Sequence, residues 1–186
     1  MGKIVAEMLM LLALPAASFY GGVWLMTKLS NHQLVLQEMQ KIAQPPLYQR
    51  LGGYSLQEVK QCWEAFSPEA LLAEERFLQL DLVFPFVYGG ALTISLLLAW
   101  ALLGRPFRPV WLLTPVVITM LADWTENLTQ LGQLRLFTMK RGGALQANWI
   151  WLASLATTVK LLFFTLTAVG LLALVVLLFF RPSKAI

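Results

Sequence analysis

The sequence predicts an all-α integral membrane protein: a four-helix bundle with short amphipathic helices in its first extramembrane loop. Three observations support this prediction. The 186 residues are 58% hydrophobic and only 13% charged, which is far from the balance of a soluble domain. Four stretches of the chain are long and apolar enough to cross a bilayer. Much of the remaining polar sequence lies between the first two of these stretches.

The predicted spans are residues 4–26, 80–103, 110–131 and 149–180. Each meets the requirement of about 20 mainly apolar residues for a helix that crosses the hydrocarbon core. The first span also has features of a cleavable signal peptide, with Lys3 before its apolar run and Ala16-Ala17-Ser18 within it. Because the apolar run continues to Met26, we interpret it as an uncleaved anchor helix. The whole chain, residues 1–186, is then a single membrane domain.

The extramembrane segment of residues 29–79 is predicted to be helical. Ser55 and Glu58 have the spacing of a capping box, in which each side chain satisfies a backbone N–H at the start of a helix. An apolar stripe follows at helical spacing and could lie on the membrane or on the bundle; it consists of Leu56, Val59, Trp63 and Phe66. Pro68 begins a second helix, which we expect to continue through Leu80 into the second span.

Basic residues predict the orientation of the chain. The loop of residues 104–109 is short and purely basic, and the C-terminal tail carries Arg181 and Lys184. Since cytoplasmic loops are enriched in Lys and Arg, we expect both termini to be cytoplasmic. The opposite side of the membrane would hold three basic residues that oppose this assignment, Arg135, Lys140 and Arg141.

Composition also limits the kinds of site that the chain can contain. With one cysteine, Cys62, and one histidine, His32, an internal disulfide cannot form and a zinc or iron site is not expected. We predict no metal and no cofactor. His32 is expected in a solvated loop, and Cys62 on a buried apolar helix face. The basic residues are scattered, so the sequence predicts no nucleic-acid partner.

Charged residues inside predicted spans are costly and therefore indicate where function lies. In the third span, Asp123, Glu126 and Asn127 fall on one helix face, because residues three and four apart are neighbours on a helix. Such a face is expected to point into the bundle. Asp81 of the second span and Lys160 of the fourth lie at similar predicted depth, in the outer half of the membrane. Lys160 is the only cation there, so we expect it to pair with a carboxylate.

These residues form the predicted site. The proposed ligand-binding residues are Asp81, Tyr88, Asp123, Glu126, Asn127 and Lys160, the catalytic candidates are Asp123 and Glu126, and no metal ligand is predicted. Two alternatives remain open at this point. The carboxylates could merely hold neighbouring helices together while Lys160 reaches the headgroups, or the polar groups could form an ion or proton path.

Four stretches resemble a set of small bacterial membrane proteins with four spans. They are Gly53-Tyr54-Ser55 followed by Glu58-Val59, residues 80–89, residues 122–128 and residues 152–160. The resemblance covers about residues 50–165. It implies a four-helix fold and, with the predicted orientation, a place in the bacterial inner membrane. It supplies no activity, so no catalytic role is carried over from it.

The sequence therefore predicts a membrane protein that binds a lipid-like ligand or a membrane protein partner through the outer half of its bundle. The expected partners are membrane lipid and either a partner subunit or a second copy of the chain. The alternative is a small intramembrane enzyme that performs acid–base chemistry on a lipid, sterol, isoprenoid or quinone. Asp123 or Glu126 would act there, oriented by Asn127 and Lys160. A transporter subunit is the third possibility, although the sequence has no evident inverted repeat.

Overall fold

The computed structural model describes residues 2–104, 110–139 and 145–180, with side chains from residue 5 onward. This part of the chain is all-α, as the sequence predicts, and contains no strand. Its elements are α1 (Gly2–Ser30), α2 (Gln33–Lys41), a 3₁₀ turn (Leu47–Gln49), α3 (Leu56–Ala65), α4 (Pro68–Asp81), α5 (Phe84–Leu102), α6 (Val110–Met139) and α7 (Ala147–Phe179). Helix α1 packs mainly on α5, and α6 packs mainly on α7.

Within the described residues, three helical stretches are long and apolar enough to cross a membrane: Val5–Ser30, Pro68–Leu102, which combines α4 and α5 across a short break, and Ala147–Phe179. The third predicted span, residues 110–131, lies inside the continuous helix α6 but is not among them. Its polar stripe, which includes Asp123 and Glu126, lowers its mean hydropathy. The basic residues at 105, 108, 140, 141, 181 and 184 on which the predicted orientation depends lie outside the described residues.

A short break separates α4 from α5, where the sequence predicts one continuous helix. Pro85 lies in the first turn of α5. Since proline has no N–H and its ring clashes with the carbonyl four residues earlier, the helix cannot continue regularly past Asp81. Two carbonyls at the break bond to α6 instead. Asn127 Nδ2 donates to the Asp81 carbonyl at 3.3 Å, and Trp124 Nε1 donates to the Leu82 carbonyl at 2.8 Å.

The segment of residues 29–79 packs onto α6 and α7, which is the second of the two positions predicted for its apolar stripe. Ser55 and Glu58 form the predicted capping box at the start of α3. Val59, Trp63 and Phe66 of the stripe are buried in one hydrophobic core with residues of α6 and α7, and Leu56 packs against this core while partly exposed. Trp63 contacts Phe137 with ring centroids 5.6 Å apart. Cys62 is fully buried here, as predicted. The segment is therefore a packed layer over the ends of α6 and α7.

Arg50 ties the loop before α3 to that helix. Its guanidinium donates to Gln44 Oε1 at 2.7 Å, to Glu58 Oε1 at 3.1 Å and to the Pro45 carbonyl at 3.1 Å.

Gly53, three residues after Arg50, has a φ of +76°, a left-handed conformation that favours glycine. A Cβ at this position would collide with Ser154 of α7. This close approach lets the Tyr54 N–H donate to Ser154 Oγ at 2.7 Å.

The prediction that His32 is solvated is wrong. Helix α1 ends at Ser30, and Asn31 adopts a left-handed φ of 58°, which asparagine tolerates better than most residues. The chain turns there and brings His32 against α4. The imidazole is 1% exposed, stacks on Phe77 with ring centroids 3.9 Å apart, and places Nδ1 at 3.3 Å from Glu74 Oε2. Burial lowers the pKa of His32 to about 4.

Candidate functional site

The polar face of α6 points into the protein, as its spacing predicts. Asp123, Glu126 and Asn127 are all buried, as is Gln130 one turn further along. The opposite side of α6 exposes Val117, Leu121 and Leu128. A helix that is apolar on its outer surface and polar on its inner surface suits a lipid environment, because the polar groups find partners inside the protein.

Lys160 of α7 bridges two of the carboxylates on this face. Its Nζ lies 3.1 Å from Asp123 Oδ1 and forms a second ion pair with Glu126 Oε2. The predicted contact between Lys160 and the α6 carboxylates is therefore confirmed. Its side chain is mostly buried, so its ammonium group is held inside the protein. The pair of contacts fixes the rotation of α7 relative to α6, because both carboxylates must face one nitrogen.

Asp123 is the most heavily bonded of the carboxylates. Besides Lys160, it accepts a hydrogen bond from the Tyr88 hydroxyl at 2.9 Å and one from Asn127 Nδ2 at 3.2 Å. Hydrogen bonds to an ionised carboxylate are stronger than those between neutral groups. Asp123 therefore joins α5, α6 and α7 at one level of the bundle.

Tyr54 extends this network into the segment of residues 29–79, although the sequence analysis did not include it in the site. Gln130 Nε2 donates to the Tyr54 hydroxyl oxygen at 2.6 Å and to Glu126 Oε1 at 3.2 Å. Thr157 Oγ1 lies 3.4 Å from the same hydroxyl. Burial, and then the Glu126 charge, raise the pKa of Tyr54 above its usual range, so its hydroxyl stays protonated. The glycine pair before Tyr54 was the only local signal of its close approach to α7.

A cavity of about 410 Å³ lies beside the network. Four of the six predicted ligand-binding residues line it: Asp81, Tyr88, Asp123 and Lys160. The other two, Glu126 and Asn127, are not among its lining residues but contact Lys160 and Asp123. Of the two catalytic candidates, only Asp123 therefore reaches the cavity. The structure brings all six residues to one region. Four of them line the cavity, and Glu126 and Asn127 bind the side chains of lining residues.

The remaining walls are mainly apolar and come largely from residues that sequence reasoning missed. They are Phe19, Val23 and Met26 of α1, Tyr48 and Gln49 of the 3₁₀ turn, Phe77 of α4, Phe84 of α5, and Leu161 and Phe164 of α7. The α1 residues recur at helical spacing, which could have indicated one face of that helix. The 3₁₀ turn carries no comparable signal, because its position depends on how the whole segment of residues 29–79 folds.

A second cavity of about 220 Å³ adjoins the first and shares the side chains of Phe19, Tyr88 and Phe164 with it. Its other lining residues extend along α1 past Pro15 to Leu12, and along α7 to Leu171. Apart from the tyrosine hydroxyls, this lining is apolar. The three shared rings contact one another and form a common wall between the two cavities, and charged groups line only the first cavity.

The chemistry that this arrangement permits follows from its charges. Two buried carboxylates, those of Asp123 and Glu126, contact the ammonium of Lys160, and a third buried carboxylate, that of Asp81, lines the same cavity. In the part of the chain that the structure describes, no group of three or more His, Cys, Asp or Glu side chains is arranged to hold a metal ion. These groups could bind the polar head of an amphiphile whose tail lies against the apolar walls. They could also support acid–base chemistry at Asp123.

Fold and site together define an all-α protein with three helical stretches that could span a membrane. A mainly apolar cavity with a few charged side chains lies between its helices. Comparison with known proteins finds no matching family model, no matching curated protein and no matching solved structure. The resemblance to bacterial four-span proteins therefore adds no family assignment. The function must be argued from the cavity itself.

Proposed function

We propose that this chain is an integral membrane protein that binds a lipid-like amphiphile in the cavity between α1, α4, α5 and α7. The observation that carries the proposal is the lining of the 410 Å³ cavity. Small-molecule sites are concave and mostly apolar, with a few polar groups that orient the ligand. Here apolar side chains form most of the walls, and Asp81, Asp123 and Lys160 supply charged groups at one end.

The proposal includes four spans, with α6 as the third. Helix α6 has 30 residues, which exceeds the length of about 20 needed to cross the hydrocarbon core. Within the predicted span of residues 110–131, its charged residues Asp123 and Glu126 are buried, and its exposed side chains include Val117 and Leu121. In this arrangement the cavity lies in the outer half of a four-helix bundle, and the extramembrane segment covers its outer end.

The proposed orientation places both termini in the cytoplasm of a bacterial inner membrane, and the first extramembrane segment outside. In a Cys62→Ala background, we expect Ser55→Cys to react with a membrane-impermeant maleimide on intact cells. Ser183→Cys, in the basic tail, should react only after permeabilisation, because Lys and Arg are retained on the cytoplasmic side. Labelling of residue 183 from outside, without labelling of residue 55, would reverse the orientation.

The binding function is tested by native mass spectrometry of the protein solubilised gently from its membrane. We expect the wild type to retain an amphiphile. Leu161→Trp should retain at least about tenfold less, because the indole would occupy part of the cavity that Leu161 lines. Leu162→Trp is the matched control, since Leu162 is 51% exposed on the outer side of the same helix.

Three results of that experiment would count against the proposal. A wild type that carries no amphiphile and takes none up on incubation with a membrane lipid extract would contradict it. Equal retention by Leu161→Trp and the wild type would place the bound lipid elsewhere on the protein. A retained polypeptide in place of an amphiphile would support the partner-subunit reading, or a homo-oligomer if its mass equals that of the chain.

The second candidate function is an intramembrane enzyme that acts on a lipid, sterol, isoprenoid or quinone. The observation that favours it is that two carboxylates, Asp81 and Asp123, line the same apolar cavity. Two carboxyl groups in different surroundings can divide the roles of acid and base. Incubation with a membrane lipid extract should then yield a product mass that Asp123→Asn does not form. If both proteins leave the extract unchanged, the binding function alone remains.

A further inference from the structure

The charges around the cavity do not balance. Asp81, Asp123 and Glu126 contribute three formal negative charges, and Lys160 contributes one positive charge. Lys160 contacts Asp123 and Glu126. No Lys, Arg or His nitrogen of the described residues lies within ion-pair distance of the Asp81 carboxylate. The Asn127 side chain hydrogen-bonds the Asp81 carboxylate, and the Lys160 charge acts on it from beyond contact distance. No cation touches it, however, and a buried carboxylate without a contacting cation is costly.

Asp81 also faces the space where a ligand would lie. It is 7% exposed and is part of the cavity lining. Its backbone carbonyl is held by Asn127 of α6, and the helix break before Pro85 fixes its position. The carboxylate is therefore held at the wall of a mainly apolar cavity, where an ion pair is stronger than in bulk water.

Aromatic rings form much of the wall around this carboxylate. Six of the thirteen lining residues are Phe or Tyr: Phe19, Tyr48, Phe77, Phe84, Tyr88 and Phe164. Several of them contact one another, with ring centroids 5.6 Å apart for Tyr48 and Phe77 and 5.1 Å apart for Phe84 and Tyr88. The faces of aromatic rings attract ammonium groups, and rings beside a carboxylate favour a cation over a neutral group of similar size.

Lys160 is the one group here that could favour an anionic ligand, but its ammonium is already bound by two carboxylates. An incoming carboxylate or phosphate would face Asp81 and Asp123 without a free cation to compensate. The adjoining cavity of about 220 Å³ extends from the shared rings past Pro15. It provides apolar space for a tail that passes between the contacting rings of Phe19, Tyr88 and Phe164, which separate the two cavities.

We propose that the ligand is a cationic amphiphile whose ammonium head pairs with Asp81 among the aromatic rings and whose apolar chain follows the adjoining cavity along α1. This inference rests on the proposed function, because it names the chemical class of the molecule that the cavity binds. It assigns Asp81 as the residue that selects the head group. Asp123, Glu126 and Lys160 hold the helices in the arrangement that presents it.

Three probes with the same chain separate head-group selection from general lipid binding: oleylamine, oleyl alcohol and oleic acid. Tritiated probes are bound to the protein in phosphatidylcholine nanodiscs and measured by scintillation proximity, with empty nanodiscs correcting for partition into lipid. We expect oleylamine to bind at least about tenfold more tightly than the other two. Asp81→Asn should remove most of that preference and leave the affinity for oleyl alcohol unchanged. Glu69→Gln, an exposed carboxylate on the same helix, is the matched control and should behave as the wild type.

The outcomes distinguish the inference from the function on which it rests. If the three probes bind the wild type equally, or if oleic acid binds most tightly, the ammonium head group is wrong while lipid binding stands. If the preference for oleylamine is unaffected by Asp81→Asn, another residue selects the head and the assignment of Asp81 fails. If no probe binds above empty nanodiscs and native mass spectrometry finds no amphiphile, the proposed function fails as well. The comparison of probes on the wild type needs no variant to fold.

Discussion

Replacement of Lys160 by alanine is expected to destabilise the protein by about 3–5 kcal/mol, the cost of leaving buried charges without their partner. The change would leave the carboxylates of Asp123 and Glu126 facing each other in a buried space without the ammonium that joins them. Lys41→Ala is the matched control, since Lys41 forms an exposed pair with Glu38. Such a surface pair contributes about 0–1 kcal/mol. Chemical unfolding in detergent measures both.

A double-mutant cycle tests whether the loss comes from the ion pairs. Glu126→Gln combined with Lys160→Ala should recover part of the stability, with a coupling energy of at least about 1 kcal/mol, because contacting residues are not additive. Asp123→Asn should couple to Lys160 in the same way. Asp81→Asn should couple less, since Asp81 has no ion pair with Lys160 within the described residues. Coupling energies near zero for all three carboxylates would show that Lys160 contributes nothing through these contacts.

Acidification from pH 7 to pH 5 is expected to cost the protein about 2 kcal/mol of stability through His32 alone, given that one pKa unit corresponds to about 1.4 kcal/mol. Burial lowers the pKa of His32 from 6.5 to about 4, although Nδ1 lies 3.3 Å from a Glu74 oxygen. Between these values the unfolded chain binds a proton that the folded chain does not. The folded state therefore loses stability as the pH falls from about 6.5 to about 4. Above this range both states leave His32 neutral, and its protonation no longer affects stability.

The variant His32→Phe isolates this effect, because it keeps a ring against Phe77 and removes the only histidine of the chain. The change in unfolding free energy between pH 7 and pH 5 is compared within each protein, so a difference in their stability at pH 7 does not enter. The wild type should lose about 2 kcal/mol more than the variant over this range. Equal losses would mean that His32 becomes protonated in the folded protein, with Glu74 as its partner.

Several features could be predicted from the sequence because they depend on neighbouring residues. The all-α class follows from the long apolar stretches, and the start of α3 follows from the spacing of Ser55 and Glu58. The inward polar face of α6 follows from the spacing of Asp123, Glu126 and Asn127, since a helix that buries one of them buries all three. The contact between Lys160 and that face could be predicted because Lys160 and the carboxylates lie at similar predicted depth in the membrane. Lys160 is also the only cation at that depth.

Other features were decided only by tertiary packing. The burial of His32 depends on the turn at Asn31, which brings His32 against α4. The local sequence indicates a turn at Asn31, but it does not indicate which helix His32 will contact. Tyr54 joins the polar network because Gly53 approaches α7 about a hundred residues later in the chain. The walls of the cavity depend on how α1 is rotated about its own axis, which many weak apolar contacts decide together.

The difference between Asp81 and the other carboxylates belongs to this second group. Predicted depth alone allowed any of the three carboxylates to pair with Lys160. The helix break caused by Pro85, and the bonds that Asn127 and Trp124 make to the carbonyls at that break, give Asp81 a different position. Spacing along a chain determines which residues share a helix face, because the helical repeat is constant. Which carboxylate meets the lysine and which meets the cavity is determined by how three helices pack.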